Sequence, residues 1–262
     1  RAAIVKDTAH EVLEHLGGGL GLSGLVDLEC VVHDRVCLRV VGVDVVEVES
    51  DGRRDTLEAD EVLVATGRRP RLADVGLETV GLSPEDVTGG GTLPDWLHAV
   101  GDASGETPLT HWGKYRARVI GQRILAAATG EAAEPVPDQV PVPQVVFTDP
   151  QVAAVGLTEA DARAAGHRVV TAQVPFGGAA GSALLRDDVT GTAQIVVDLE
   201  TRTLVGATFV GPEASELLHA ATIAIVGTVP VHVLRHAVPS YPAASELWLR
   251  LLEELPRALR AG

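Results

Sequence analysis

Apolar and polar residues alternate along Val43–Val48 and run into Ser50-Asp51-Gly52, residue types that favour a turn. After Thr56–Glu58, the short apolar run Glu61–Ala65 ends at Gly67. This pattern predicts a small β-meander that delivers a buried strand. Leu97–Val100 reads as another short apolar strand, ending at Gly101-Asp102. From Leu109 the spacing turns helical and runs through Lys114 and Arg118 to about Thr129, with Gly130 as its stop. The first forty residues show no clean alternation of strand and helix.

Glu131–Pro143 carries prolines at 135, 137, 141 and 143. Proline removes a backbone donor and restricts the residue before it, so this stretch predicts an extended connector. The expected division is therefore 1–140 and 141–262. In the second part Val145–Phe147 reads as a strand, and Thr158 is placed to cap a helix that ends at Gly166. Ala193–Asp198 and Leu204–Val210 alternate around Glu200–Thr203 as a hairpin. Pro212 is expected in the first turn of a helix, where its missing N–H costs nothing. A last helix begins near Ser245 with Leu247, Leu251 and Leu255 on one face, and Leu247, Trp248 and Leu251 are expected to remain exposed. Strand, helix, hairpin, helix, helix is an α+β order, with helices backing an antiparallel sheet.

Composition narrows the function. A chain of 262 residues with 46% hydrophobic content supports one large or two ordinary folded units. A net charge of -15 disfavours nucleic-acid binding, which needs clustered Lys and Arg. The apolar passage Leu217–Leu234 is broken by His219, Gly227, Pro230 and His232, too soon for a membrane span. With two cysteines and no apolar leader pattern, a cytoplasmic setting is expected. The chain begins at Arg1 and has no methionine, so it is expected to be a segment of a longer polypeptide.

Two local patterns carry little. Gly19-Leu20-Gly21-Leu22-Ser23-Gly24 satisfies Gly-x-Gly-x-x-Gly, but the segment before it, His10–His15, is charged and helix-like rather than a buried strand. Cys30, His33 and Cys37 would share one face of a helix, yet three ligands without a fourth make core thiols and a surface imidazole the expected reading, and no metal.

The motifs gain meaning as an ordered set. Ala65-Thr66-Gly67-Arg68-Arg69-Pro70, Leu97–Asp102, Phe147–Pro150, Val155–Thr158, Gly191–Asp198, Gly211–Glu216 and Tyr241–Glu246 resemble, in order, segments of the flavin-dependent pyridine nucleotide-disulfide oxidoreductases. The resemblance implies a partial dinucleotide-binding (FAD/NAD(P)) region over 1–140 and an α+β dimerisation domain with an antiparallel sheet over 141–262. The implied cofactor-binding residues are Gly67, Gly101, Asp102 (toward the flavin's ribityl chain) and the helix start Leu109, Thr110, His111. Implied cofactors are FAD and NAD(P)H, the implied assembly is a homodimer, and the implied substrate is a small-molecule electron acceptor.

One departure bears on mechanism. The family's C-terminal signature reads His-Pro-Thr-x-Ser-Glu, with the histidine handling protons for a redox thiol and the glutamate orienting it. Glu246 matches the glutamate, but Tyr241 stands where the histidine belongs. An unperturbed phenol titrates near ~10, so Tyr241 is a poor general base at neutral pH. The family's Cys-x4-Cys pair is not in this chain either. The expected reaction is hydride transfer from NAD(P)H through FAD to an acceptor such as a quinone, with Tyr241 and Glu246 in the catalytic positions. The alternatives are a non-catalytic dimerisation module, or a dithiol-dependent, dihydrolipoamide dehydrogenase-like reductase whose cysteine pair lies outside this sequence.

Overall fold

A computed structural model of the chain describes residues 2–5, 36–40, 45–50, 53–58, 61–64, 68–88, 93–137 and 140–260. The chain divides into two compact units, 1–131 and 132–262.

In the first unit β1 (Ala2–Val5) pairs in parallel with β5 (Glu61–Val64). Between them β2 (Val36–Val40), β3 (Val45–Ser50) and β4 (Arg53–Glu58) form an antiparallel meander. Ser50 stands opposite Arg53 in the β3–β4 pairing, and Asp51 and Gly52, where a turn is expected, lie outside the described residues. Cys37 lies in strand β2, so the helical face expected for Cys30, His33 and Cys37 does not exist at Cys37. Cys30, His33 and the Gly19–Gly24 segment lie outside the described residues.

A short helix α1 (Pro84–Thr88) starts where Ser83 and Asp86 exchange hydrogen bonds: the Ser83 N–H and hydroxyl donate to Asp86 Oδ2 at 2.7 and 2.8 Å, and the Asp86 N–H donates to Ser83 Oγ. Leu97–Val100 forms no strand, contrary to expectation. The backbone is extended at Val100 (φ -139°, ψ 155°), but no neighbouring strand among the described residues takes up its N–H and C=O groups. Helix α2 (Thr110–Thr129) follows and is stopped by Gly130 at φ 74°, whose N–H donates to Ala126 O. None of the α2 side chains is fully buried, although the helix carries Ile124 and Leu125.

The second unit is built on one antiparallel sheet in the order β6-β7-β10-β9-β8. Its elements are β6 (Gln144–Val146), β7 (Gln151–Gly156), α3 (Glu159–Ala164), β8 (Val169–Pro175), α4 (Ala180–Ala183), β9 (Thr192–Asp198), β10 (Leu204–Gly211), α5 (Ala214–Val226), α6 (Val231–Leu234), α7 (Glu246–Glu254) and α8 (Arg257–Arg260). Thr158 caps α3, its hydroxyl accepting from the Asp161 N–H at 3.1 Å. Pro212 is not in the first turn of α5. The helix begins at Ala214, and Glu213 at its N-cap takes φ 55° to turn the chain out of β10.

The period-two alternation of β9 separates two cores. Ala193, Ile195 and Val197 point into the main one with Phe209 and the inner faces of α5 and α7. Val196 points the other way, into a small cluster with Ala162 and Val169. Leu247, Trp248 and Leu251 belong to the main core and are buried, which corrects the expectation that α7 leaves them exposed. The sheet face needs a cover, and α7 supplies it. The Trp248 ring meets Phe209 at 5.4 Å between centroids, and its Nε1–H donates to Leu217 O. Each such side chain contributes about 1.5–3 kcal/mol on burial, so α7 is fixed by its apolar face.

Candidate functional site

In the first unit, the turn after Val100 and the start of α2 form one piece. Gly101 takes φ 65° and opens a 3-10 turn over Gly101–Ser104, closed by Ser104 Oγ donating to Gly101 O at 2.7 Å. A Cβ on Gly113 would lie 3.0 Å from Gly101 Cα, so the first turn of α2 rests directly on that turn because residue 113 is glycine. Gly105, at φ 69°, passes so close to the end of α1 that a Cβ there would be 2.6 Å from Thr88 O.

Arg68 Nη1 donates to Pro108 O at 3.0 Å and reaches Asp102 Oδ2 at 3.4 Å. One guanidinium thereby links the two ends of the loop, although both charged side chains are largely exposed and the ion pair itself adds little stability. Glu106 grips α2 from outside. Its carboxylate accepts from Trp112 Nε1 at 2.9 Å and from Arg116 Nε and Nη2 at 3.0 Å each.

Leu109 is the N-cap of α2 and provides no side-chain acceptor for the first N–H groups of that helix. Thr110 and His111 occupy its first turn with exposed side chains. These N–H groups and the positive end of a 20-residue dipole are disposed to meet negative charge. Asp102, Gly101, Leu109, Thr110 and His111 are thus gathered in one place. Gly67 lies outside the described residues. Glu106, Trp112, Gly113 and Arg116 are functional candidates that sequence reasoning missed. Only the spacing of Trp112 and Arg116 on one helix face was available as a signal.

Tyr241 and Glu246 lie in the second unit. The chain leaves α6, and Tyr241 stands 78% exposed at the start of the turn that leads into α7. That turn is closed by Glu246 N–H donating to Ala243 O at 3.1 Å and Leu247 N–H to Ala244 O at 3.0 Å. It is backed by α4, since a Cβ on Gly181 would overlap the Ala243 backbone. Glu246 is half-buried at the first position of α7, where the dipole favours a carboxylate. Its Oε2 is buried and meets no hydrogen-bond partner among the described residues. The Tyr241 phenol, exposed to solvent, can donate and accept hydrogen bonds.

A second polar cluster in this unit is structural. Buried Asp198 accepts from Glu200 N–H at 2.7 Å and Thr201 N–H at 3.0 Å through Oδ1, and from His167 Nδ1 at 2.7 Å through Oδ2. Burial pushes the Asp198 carboxyl up. The hydrogen bonds from Thr201, His167 and Glu200 outweigh it and hold the group below its ordinary value. The cluster pins the β9–β10 hairpin and joins it to the loop between α3 and β8.

Among the described residues, no group of three or more His, Cys, Asp or Glu side chains is placed to hold a metal ion, and no helix is long and apolar enough to cross a membrane.

Residues 142–251 match the pyridine nucleotide-disulphide oxidoreductase dimerisation domain. The dihydrolipoyl dehydrogenase of Haloferax volcanii is 35% identical over 220 residues, which cover 81% of this chain and 45% of that protein. The dihydrolipoyl dehydrogenase of Bacillus subtilis is 31% identical over 215 residues, 79% of this chain and 44% of that one. Among solved structures, LpdA from Mycobacterium tuberculosis superposes with a TM-score of 0.65 at 26% identity, covering 84% of this chain and 47% of that one. The HOCl-induced flavoprotein disulfide reductase RclA from Escherichia coli shares the fold, with a TM-score of 0.67 at 24% identity over 81% of this chain and 49% of that one. The chain spans about half the length of the curated relatives it matches.

Proposed function

We propose, from the premise that this chain belongs to the pyridine nucleotide-disulphide oxidoreductase family, that it forms the flavin-proximal and subunit-joining part of an FAD-dependent NAD(P)H oxidoreductase. In this reading 1–140 belongs to the FAD/NAD(P) region, 141–262 is the interface domain of a cytoplasmic homodimer, and the electron acceptor is a small quinone-type molecule. The observation that carries the choice of acceptor is Tyr241, exposed where a thiol-dependent member of the family needs histidine.

The residues of the first unit fit a flavin. Asp102 offers an exposed carboxylate to hydroxyls, a Cβ at Gly101 would meet open space, and the positive end of the α2 dipole at Thr110 and His111 suits a negatively polarised ring oxygen. Bound there, FAD would supply two-electron redox chemistry. The chain's own contribution would be to hold it through Asp102 and the start of α2. Tyr241 then donates a hydrogen bond to the acceptor's carbonyl in the partner subunit's flavin site, and Glu246 stays a first-turn carboxylate.

The complete enzyme is expected to reduce quinones and to leave lipoamide and glutathione disulfide essentially untouched. Tyr241→Phe should lower quinone turnover by about tenfold or less, the effect of one lost neutral hydrogen bond. Brisk disulfide reduction, abolished in that variant, would overturn the assignment in favour of the dithiol-dependent reading.

A second reading, a dimerisation module without activity, is favoured by the confinement of the gathered residues to the flavin side of the cofactor. A purified chain that is colourless and does not bind added FAD supports it. Sedimentation of the chain tests the dimer, and a monomer at tens of micromolar would remove it from both readings.

A further inference from the structure

We propose that Glu106 is a positioning residue for the flavin site, acting by fixing the start of α2, and that Arg116 cancels the negative charge Glu106 brings to that helix end. The inference rests on the flavin reading of Asp102 and the α2 N-terminus given above.

Glu106 occupies the loop that joins Gly101-Asp102 to α2, so any movement of it changes the distance between the ribityl-facing carboxylate and the helix N–H groups. Its backbone is held on one side, where the Glu106 N–H donates to Ser104 Oγ at 3.2 Å. Its side chain is held on the other by the first two turns of α2, through Trp112 Nε1 and Arg116 Nε and Nη2. The bidentate fork fixes direction as well as distance. Trp112 is itself steadied by Tyr115, with ring centroids 5.3 Å apart. Arg68 secures the other end of the same loop at Pro108 O. The loop therefore has three independent fastenings, and Glu106 supplies the one that reaches the helix.

A carboxylate next to a helix N-terminus interacts favourably with the dipole, but it also repels an anionic ligand approaching the same N–H groups. Arg116 cancels that repulsion while it pairs with Glu106. Removing Arg116 alone therefore does more harm than removing both partners. A purely structural clamp predicts the reverse, because the double variant loses everything that either single variant loses.

The test is FAD binding to the 262-residue chain, followed by flavin fluorescence and by the shift of the near-ultraviolet flavin band. Four proteins are compared: wild type, Glu106→Ala, Arg116→Ala and the double variant, with folding checked by circular dichroism. Glu159→Ala, which breaks a similar Glu–Arg pair on α3, serves as the control. Glu106→Ala is expected to weaken FAD by about tenfold and reduce the band shift. Arg116→Ala should weaken binding further, and the double variant should recover to within about threefold of Glu106→Ala. Glu159→Ala should match wild type. If wild type binds FAD and the double variant is weaker than Arg116→Ala, or if Glu106→Ala binds as wild type does, the proposal fails while the flavin reading stands. If wild type shows neither binding nor a band shift at millimolar FAD, the flavin reading fails and takes the proposal with it.

Discussion

Replacing Asp198 by Asn tests how much of the second unit depends on one buried carboxylate. The side chain keeps its size, so no cavity opens. Its remaining carbonyl oxygen still accepts from Glu200 N–H and Thr201 N–H, now without charge. The amide nitrogen faces His167 Nδ1, which donates to a carboxylate in the wild type. Hydrogen bonds to charged groups contribute about 1.5–3 kcal/mol each, against about 1 for neutral ones. Weakening two by about 0.5–2 kcal/mol each and losing the third implies about 2.5–7 kcal/mol in all, and solvent at the part-exposed His167 ring sets it toward the lower end. The sign with pH follows from the depressed carboxyl. The folded chain holds this proton less readily than the unfolded one, so the stabilisation is fully present above the unfolded value near ~3.9 and is lost as pH falls through the lower folded value. Urea unfolding followed by Trp248 emission, whose ring lies in this unit's core, measures the difference between the two proteins. The difference should be fully present at neutral pH and shrink as pH falls below about 4. A loss below 0.5 kcal/mol at pH 7, or a gap that widens on acidification, would refute the reasoning.

Gly181→Ala places a methyl group against the Ala243 backbone and should cost about 1–3 kcal/mol, read as a lowered midpoint in the same urea experiment. It should also displace the Tyr241 turn, so quinone turnover falls more than it does in Tyr241→Phe. Thr158→Ala removes the acceptor for Asp161 N–H and should cost about 1 kcal/mol, with Thr158→Ser restoring most of it.

The readable features were those decided locally. Thr158 as a cap, Gly130 as a stop and the β9–β10 turn each depend on a few consecutive residues whose backbone preferences speak for themselves. Strands β7 and β8 were not anticipated. Gln151–Gly156 holds two alanines and a closing glycine and becomes a strand because β10 completes its ladder, whereas Val169–Pro175, with three valines and a threonine, carries a legible strand signal that was passed over. The α7 reading shows the opposite failure. Its apolar face was plain in the sequence, but periodicity does not say whether that face meets its own sheet or a second copy. The site divided the same way. Gly101, Asp102 and the start of α2 follow one another in sequence, whereas the Glu106–Arg116 fork spans ten residues of loop and helix and exists only once the loop turns back.

The sheet order has a consequence for how the second unit assembles. Strands β8, β9 and β10 are successive neighbours in the sheet, β9 and β10 joined by a short turn and β8 and β9 by the segment that carries α4. Strand β7 pairs with β10, not with β8, and its Gln151 must wait for Gly211. The entropy of closing so long a loop is met before any reward, which makes this the slow pairing of the unit. Until it forms, β7 and β10 each present an open edge with unpaired N–H and C=O groups, a template for other chains. Pulsed hydrogen exchange should show β8–β10 amides protected before those of β6 and β7. Simultaneous protection would mean the sheet condenses as a whole. If the order holds, the interval before β7 docks is when a newly made chain is most exposed to pairing with the wrong copy of itself.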